Sequence, residues 1–206
     1  MKSSLGFNKE EFEILKKLNT PVKIQDFLDK LPINFEEKGD TCMSPRLVLR
    51  NKKAHCIEGA FLAAAALMIK GEKPLLLDLK SADHDFDHVV ALFKRNGNWG
   101  AISKTNHAVL RYREPVYKTM RELAMSYFHE YFTDDGKKTK RSFSEPFDLR
   151  QFNNHGWLTS EKNLWYISKS LDDSPHIPIL TKSTLAGLRK ADKVEIEAGK
   201  IVQFRK

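Results

Sequence analysis

The sequence predicts one α+β domain in which helices pack on a small antiparallel sheet. Three observations indicate this class. Apolar residues at helical spacing dominate the first third of the chain, and short apolar runs of strand length follow them. The dipeptide Asn96-Gly97 between two such runs is a strong signal for an antiparallel hairpin. The 206 residues suit a single domain, with its core at about 20–110 and a helical C-terminal extension at about 111–206.

The predicted helices begin at residues that commonly cap helices. Asn8 with Glu11 resembles a capping box, and the second and third helices have Pro in their first turn. The fourth is rich in Ala and Leu and is closed by Gly71, so we expect it to be buried on several sides. The predicted starts are Asn8, Thr20, Ser44 and Cys56.

After the fourth helix the apolar pattern changes to one typical of strands. The predicted strands are 74–79, 87–94 and 99–103, with the hairpin turn between the last two. The C-terminal extension should contain a helix at about 115–131, a less regular region, and a helix from about 160 to 171. A charged helical segment near 185–190 and a terminal strand at 200–204 complete the prediction.

Composition and charge exclude several classes of protein. No apolar run is long enough to cross a membrane, and residues 1–6 lack the apolar core of a secretion signal. Two cysteines do not make a disulfide framework, so we expect a reduced, cytoplasmic setting. The net charge is +8, but basic residues are interleaved with acids and form no recognisable nucleic-acid module. Nucleic acid is therefore not the expected partner.

Cys56 is the candidate nucleophile. In the first turn of a helix, a thiol faces unpaired N–H groups and the positive end of the helix dipole, and both favour the thiolate. Cys42 follows a polar connector without a helix start, and we interpret it as structural. The position of Cys56 also fits a small buried residue, so the interpretation depends on finding a base for the thiol.

His88 is the preferred base among the seven histidines. It begins a predicted strand and is expected to point across the sheet towards the start of the cysteine helix. His55 is adjacent to Cys56 but is expected to diverge from it around the helix and to serve as a loop or cap residue. His84 lies in an acidic loop, and the remaining histidines lie on elements without a matching pattern.

The hairpin narrows the choice of a group to orient His88. If Asn96 and Gly97 are the two central turn residues, His88 lies opposite Thr105, and Ser103 shares its face of the sheet. Asn106 then points away. Ser103 is thus the geometric candidate, although a hydroxyl orients an imidazole less strongly than a carboxylate does.

These residues resemble a known family. The run 46–68 with Cys56, followed by Asp87-His88, the turn and Trp99, is similar to the transglutaminase-like superfamily of papain-fold cysteine enzymes. The similarity covers roughly 20–105, and 111–117 is also similar to bacterial proteins of unassigned role that share this core. It implies a papain-like core, with Cys56 as nucleophile and His88 as general base. Backbone N–H groups, including that of Cys56, are implied as oxyanion donors.

One part of the family pattern is missing. Family members commonly carry Asp-Pro-Thr a few residues after the tryptophan, whereas Trp99 is followed here by Ser103-Lys104-Thr105. Ser103 or Asn106 is then the expected substitute, as Asn is in papain-like enzymes, or the site is weakened. Trp99 is expected to form a wall of the substrate cleft.

The leading functional hypothesis is a cysteine-dependent acyl-transfer enzyme acting on a protein, a peptide or a small amide, without cofactor or resident metal. A second hypothesis is a binding protein that keeps the fold without efficient turnover, because the usual acid is absent. A third is a metal-dependent hydrolase. The run from Asp83 to His88 contains three carboxylates and two imidazoles, which suit Zn or Mn, and His88 would then be a ligand.

Overall fold

One antiparallel sheet of seven strands, counted within the described range, separates two hydrophobic cores. The computed structural model describes residues 5–205, so residues 1–4 of the segment predicted to lack a secretion signal lie outside it. The mixture of helices with an antiparallel sheet confirms the α+β class. Within that range no helix combines the length and the apolar character needed to cross a bilayer.

The elements follow the chain in this order. The helices are α1 Lys9–Lys17, α2 Pro21–Lys30, α3 Pro45–Asn51, α4 Cys56–Ile69, α5 Met120–Met125, α6 Trp165–Asp172, α7 Lys182–Ala186 and α8 Lys193–Gly199. The strands are β1 Leu75–Lys80, β2 His88–Arg95, β3 Asn98–Ile102, β4 Arg113–Tyr117, β5 Ser142–Ser144, β6 Phe147–Asp148 and β7 His176–Pro178. Two 3₁₀ helices span Phe128–Glu130 and Leu149–His155.

The predicted starts of the first four helices are confirmed. The Asn8 side chain accepts from the Glu11 N–H at 2.8 Å, and Glu11 accepts from the Asn8 N–H at 3.0 Å. Thr20 and Ser44 cap α2 and α3, each of which begins with Pro. These caps satisfy N–H groups that have no acceptor within their own helix.

Helix α4 lies at the centre of the fold. All of its residues except Cys56 and Met68 are buried. It contacts α1, α2 and α3 as well as β1 and β2. Such a helix needs small side chains on most faces, which explains its run of alanines. The first residue, Cys56, lies at the margin of this packing and is half-buried.

The strand order in the sheet is β4-β3-β2-β1-β5-β7, and β6 also pairs with β1. The predicted hairpin is present, with Arg95 paired to Asn98 across a turn formed by Asn96 and Gly97. Both turn residues have positive φ, +51° and +83°, as the favoured two-residue hairpin turn requires. The register from this turn continues to the pair Ala91–Ile102.

The C-terminal part differs from its prediction. Residues 115–117 belong to β4 rather than to a helix, and the helix begins only after the Thr119 cap, which forms a capping box with Glu122. Strand β4 lies at the edge of the sheet, where Pro115 removes no essential hydrogen bond. The predicted terminal strand is reduced to one bridge between Val202 and His107. The C-terminal half therefore adds strands β4–β7 as well as helices.

Candidate active site

Cys56, His88 and Ser103 come together where α4 begins, β2 begins and β3 has just ended. His88 is buried, and its Nε2 lies 2.8 Å from Ser103 Oγ. This is the contact expected from the hairpin register. The register set at the Asn96-Gly97 turn is kept as far as the pair Ala91–Ile102, and Ser103 follows Ile102 directly.

A second hydrogen bond fixes which nitrogen of His88 carries a proton. The Ser103 hydroxyl donates to the Leu110 carbonyl oxygen at 2.6 Å. A hydroxyl has one proton, so Ser103 Oγ must accept from His88, and Nε2 must be the protonated nitrogen. In the neutral ring Nδ1 is then unprotonated and is the nitrogen free to accept a proton from a thiol.

The backbone of Ser103 is held by helix α2. The Gln25 side chain accepts from the Ser103 N–H at 2.9 Å and donates to the Ser103 carbonyl at 2.8 Å. Both contacts are buried, so breaking either would leave an unpaired polar group away from water. Ser103 therefore has a fixed position although it lies beyond the end of β3.

His55 is a second imidazole beside the thiol, and its predicted divergence from Cys56 is wrong. Its Nδ1 lies 4.0 Å from Cys56 Sγ, and its Nε2 lies 2.9 Å from the Thr41 carbonyl oxygen. The reason is conformational. As the N-cap of α4, His55 has an extended backbone, with φ −97° and ψ −171°. Its side chain is therefore not turned away from Cys56 by the rotation that separates successive residues within a helix.

The buried carboxylate of Glu58 supports this end of the helix. It accepts hydrogen bonds from Thr41 Oγ1 at 2.7 Å, Met43 N at 2.9 Å, His55 N at 3.0 Å and Asn34 Nδ2 at 3.2 Å. Burial raises its pKa, but the side chain and positive charge of His55, together with the His55 and Met43 N–H groups, outweigh burial and lower the pKa to about 2. The spacing of three between His55 and Glu58 is that of a capping box and is the sequence signal for this pair.

The two thiols of the chain have opposite environments. Burial raises the pKa of Cys56, but hydrogen bonds and positive charge from His55 and His88 outweigh it and lower the pKa to about 5. Contact with the thiolate and with Glu58 raises the pKa of His55 in spite of its burial. Cys42 is fully buried, and burial raises its pKa to about 12. Only Cys56 has the environment of a reactive cysteine.

A cavity of about 750 Å³ lies over Cys56 and His88. Its volume is within the range of small-molecule sites. Carboxylates also line it, and so does the segment 104–107. Its apolar wall is formed by Ile33, Phe35, Phe86, Leu110, Tyr131 and Phe132.

Two predicted site residues have other roles. Asn106 lines the cavity, but its amide donates to the Phe204 carbonyl and accepts from the Phe204 N–H, both at 2.9 Å. The orienting partner of His88 is therefore Ser103 and not Asn106. Trp99 is not among the cavity-lining residues. It lies at the hairpin end of β3, about 13 Å along the strand from Ser103, with Lys94 over its ring.

The predicted metal loop is not assembled as a ligand set in the described part of the chain. Asp85 accepts from the Thr139 hydroxyl, and His88 is bonded to Ser103. Asp87 instead approaches Asp78 and Asp172, with carboxylate oxygens within 4.8 Å of one another. Lys80 Nζ lies 3.5 Å from Asp172 and 3.6 Å from Asp87, so a lysine already supplies positive charge there.

Comparison with the profiles of protein families and with curated proteins finds no match to this chain.

Proposed function

We propose that this protein is a cysteine-dependent acyl-transfer enzyme of the transglutaminase-like, papain-fold type. The observation that carries the proposal is the hydrogen-bonded series from His88 Nε2 through Ser103 Oγ to the Leu110 carbonyl. It leaves Nδ1 of the neutral ring as a proton acceptor, while the pKa of Cys56 is about 5. A lowered thiol pKa beside an oriented imidazole is the arrangement that activates a nucleophilic cysteine.

In the proposed reaction, the Cys56 thiolate attacks the carbonyl carbon of an amide in the cavity. The carbonyl oxygen becomes an oxyanion, which N–H groups of the first turn of α4 stabilise. Collapse of this intermediate breaks the carbon–nitrogen bond, and protonated His88 gives its proton to the departing amine. A thioester remains on Cys56. Water or a second amine, deprotonated by His88, then attacks the thioester and releases the thiol.

The two histidines have different parts in this proposal. His88 moves protons, because the Ser103 hydroxyl that orients it carries no negative charge to keep the ring protonated. His55 holds a constant positive charge beside the sulfur, because Glu58 lies 3.4 Å from its Nε2 in a buried position. The Nδ1 of His55 lies 4.0 Å from Cys56 Sγ, and a cation at that separation stabilises the thiolate before substrate binds. His55 is thus proposed as a positioning and electrostatic residue.

Alkylation by iodoacetamide across a pH series tests the proposal. Because the pKa of Cys56 is lowered, its thiolate is present above about pH 5 and is lost as the pH falls below it. We therefore expect one modified residue per chain at pH 6–7, identified as Cys56 by mass spectrometry. In His88→Ala the midpoint should move up towards the ordinary thiol range.

His107→Ala is the matched control for that series. His107 also lines the cavity, but its Nδ1 lies 3.0 Å from the Gly199 carbonyl oxygen rather than near the sulfur. The control should keep the low midpoint. A midpoint near the ordinary thiol value in the unmodified protein would contradict the proposal and favour a binding protein that keeps the fold.

A further inference from the structure

The cavity over Cys56 has a charge opposite to that of the whole chain. The chain carries +8, yet the charged groups at the cavity are mostly carboxylates. These are Asp85, Asp87, Glu130, Asp134 and Asp135. Among residues 5–205, Lys104 is the one lysine or arginine on its wall, and it is 1% exposed. Its Nζ donates to the Leu28 and Leu31 carbonyls, so its charge is directed away from the cavity.

Three of the five carboxylates already have cationic partners. Lys80 lies 3.6 Å from Asp87, Arg113 lies 2.7 Å from Glu130, and Lys137 lies 2.9 Å from Asp135. The pairs of Glu130 and Asp135 contribute little net charge to the cavity, whereas Lys80 is shared between Asp87 and Asp172.

The other two carboxylates have no cation within 4 Å in the described part of the chain. Asp134 is exposed, and Asp85 is half-buried. Asp85 is held in place by the Thr139 hydroxyl and by the Phe86 N–H, neither of which is charged. Two carboxylates without a neighbouring cation in a partly enclosed cavity produce a field that attracts cations.

Aromatic rings accompany these carboxylates. Phe86, next to Asp85, is 90% exposed and lines the cavity together with Phe35 and Phe132. A lysine or arginine side chain combines an apolar stem with a cationic head, so it packs on aromatic faces while its charge reaches a carboxylate. The wall therefore offers both parts of a site for a basic side chain.

From this wall we infer that the cavity selects acyl substrates that carry a lysine or arginine side chain near the reacting carbonyl. Asp85 and Asp134 receive the positive charge, and the exposed ring of Phe86 packs against the stem. This inference rests on the proposed function of Cys56, because it assigns the substrate class of that site.

Thiol reagents of different charge measure the field of the cavity directly. The cationic reagent is trimethylammonium-ethyl methanethiosulfonate, and the anionic one is its sulfonatoethyl analogue. Each rate with Cys56 is divided by the rate of the same reagent with free cysteine. The cationic reagent should be favoured by about tenfold at low ionic strength, and the preference should shrink in 0.5 M salt.

Asp85→Asn and Asp134→Asn should each lower this preference, and the double variant should abolish it. Glu10→Gln is the control, because it changes the net charge equally at an exposed position on α1. Equal normalised rates for the two reagents, or a preference for the anionic one, would overturn the inference. These reagents also report the field when Cys56 has an ordinary thiol pKa.

Acylation by two activated esters connects the field to the substrate class. The p-nitrophenyl ester of Nα-blocked lysine is compared with that of norleucine, which has the same stem without the charge. The lysine ester should acylate Cys56 about tenfold faster, and the double variant should lose the difference. Equal rates together with a low Cys56 midpoint would overturn the inference and leave the proposed function standing. If neither ester acylates Cys56, the proposed function fails. The ratio of the normalised rates of the cationic and anionic thiol reagents then shows by itself whether the field at the cavity is negative.

Discussion

Ser103 fixes the orientation of His88 without adding a charge. The hydroxyl accepts from Nε2 at 2.8 Å and donates to the Leu110 carbonyl at 2.6 Å, so both of its hydrogen-bonding functions are in use. A carboxylate at this place would orient the same ring and also stabilise its protonated form. At the scale of the residue, orientation and charge therefore come from different groups. Ser103 orients the ring of His88, and Glu58 supports the positive charge of His55.

Replacing Ser103 with Ala should slow acylation of Cys56 while leaving the fold intact. Without the hydroxyl the ring of His88 loses the contact that fixes its tautomer, and we expect a loss of about tenfold to a hundredfold. The measurement is the burst of nitrophenolate released from p-nitrophenyl acetate. Ser103→Thr keeps the hydroxyl and should restore much of the rate.

Asn106→Ala is the matched variant for this comparison. Its amide bonds to the Phe204 backbone and not to His88, so the burst rate should change by less than about twofold. Equal losses in Ser103→Ala and Asn106→Ala would contradict the orienting role of Ser103.

The sequence predicts part of this site for a specific physical reason. The contact between His88 and Ser103 follows from strand alternation and a two-residue turn, both of which are local. His55 depends on the extended backbone of a cap residue, and periodicity does not report that conformation. The position of Trp99 depends on where the cavity opens, which is a property of the assembled fold.

At the scale of the element, α4 and the segment after β3 approach each other at a glycine. A Cβ added to Gly59 would lie 2.4 Å from Lys104 Cβ. This approach lets Lys104 cross α4 and reach the carbonyls at the end of α2. A cation at the C-terminal end of a helix interacts favourably with the helix dipole.

Gly59→Ala should therefore destabilise the protein although alanine favours helices. The contact involves a Cβ atom close to the backbone, which cannot rotate away, and overpacking of this kind costs about 1–3 kcal/mol. Urea unfolding measures the change. Gly187→Ala is the control, because its nearest contacts would be ordinary ones at 3.8 Å. A Gly59→Ala variant as stable as the parent would show that the two segments separate freely.

The elements near the C-terminus are harder to predict from sequence than those near the N-terminus. Helices α1 to α4 begin with local capping signals, so their starts follow from a few residues each. Strands β5 and β6 are three and two residues long and exist because they pair with β1 across more than 60 residues of chain. Strands of two or three residues are too short to show a recognisable alternation of apolar and polar residues in the sequence.

At the scale of the whole molecule, a basic protein encloses two lysines almost completely, Lys104 at 1% and Lys140 at 0% exposure. Lys140 is fully buried, and its Nζ donates to the Ser142 carbonyl at 3.0 Å. Burial lowers its pKa from 10.5 to about 7, and burial likewise lowers the pKa of Lys104 to about 8. Each lysine therefore costs stability while it is charged.

The pH dependence of Lys140→Met should show this cost. Between about pH 7 and 10.5 the unfolded chain holds a proton on Lys140 that the folded chain lacks, so the free energy of unfolding rises with pH. The difference between the parent and the variant should move in favour of the parent by roughly 1.4 kcal/mol per pH unit. Urea unfolding at pH 7, 8 and 9 measures it. Lys53→Met, at an exposed lysine, should show no such trend.

The neutral partner of His88 also has a consequence for timing. A carboxylate bonded to one nitrogen of an imidazolium stabilises its positive charge, so the proton on the opposite nitrogen is given up less readily. A proton on His88 has only the Ser103 hydroxyl on its far side, and the nearby negative charge leaves the Cys56 sulfur when the sulfur attacks the carbonyl carbon. In the proposed reaction, the attack that forms the carbon–sulfur bond therefore also frees the proton that the departing amine takes when the intermediate collapses.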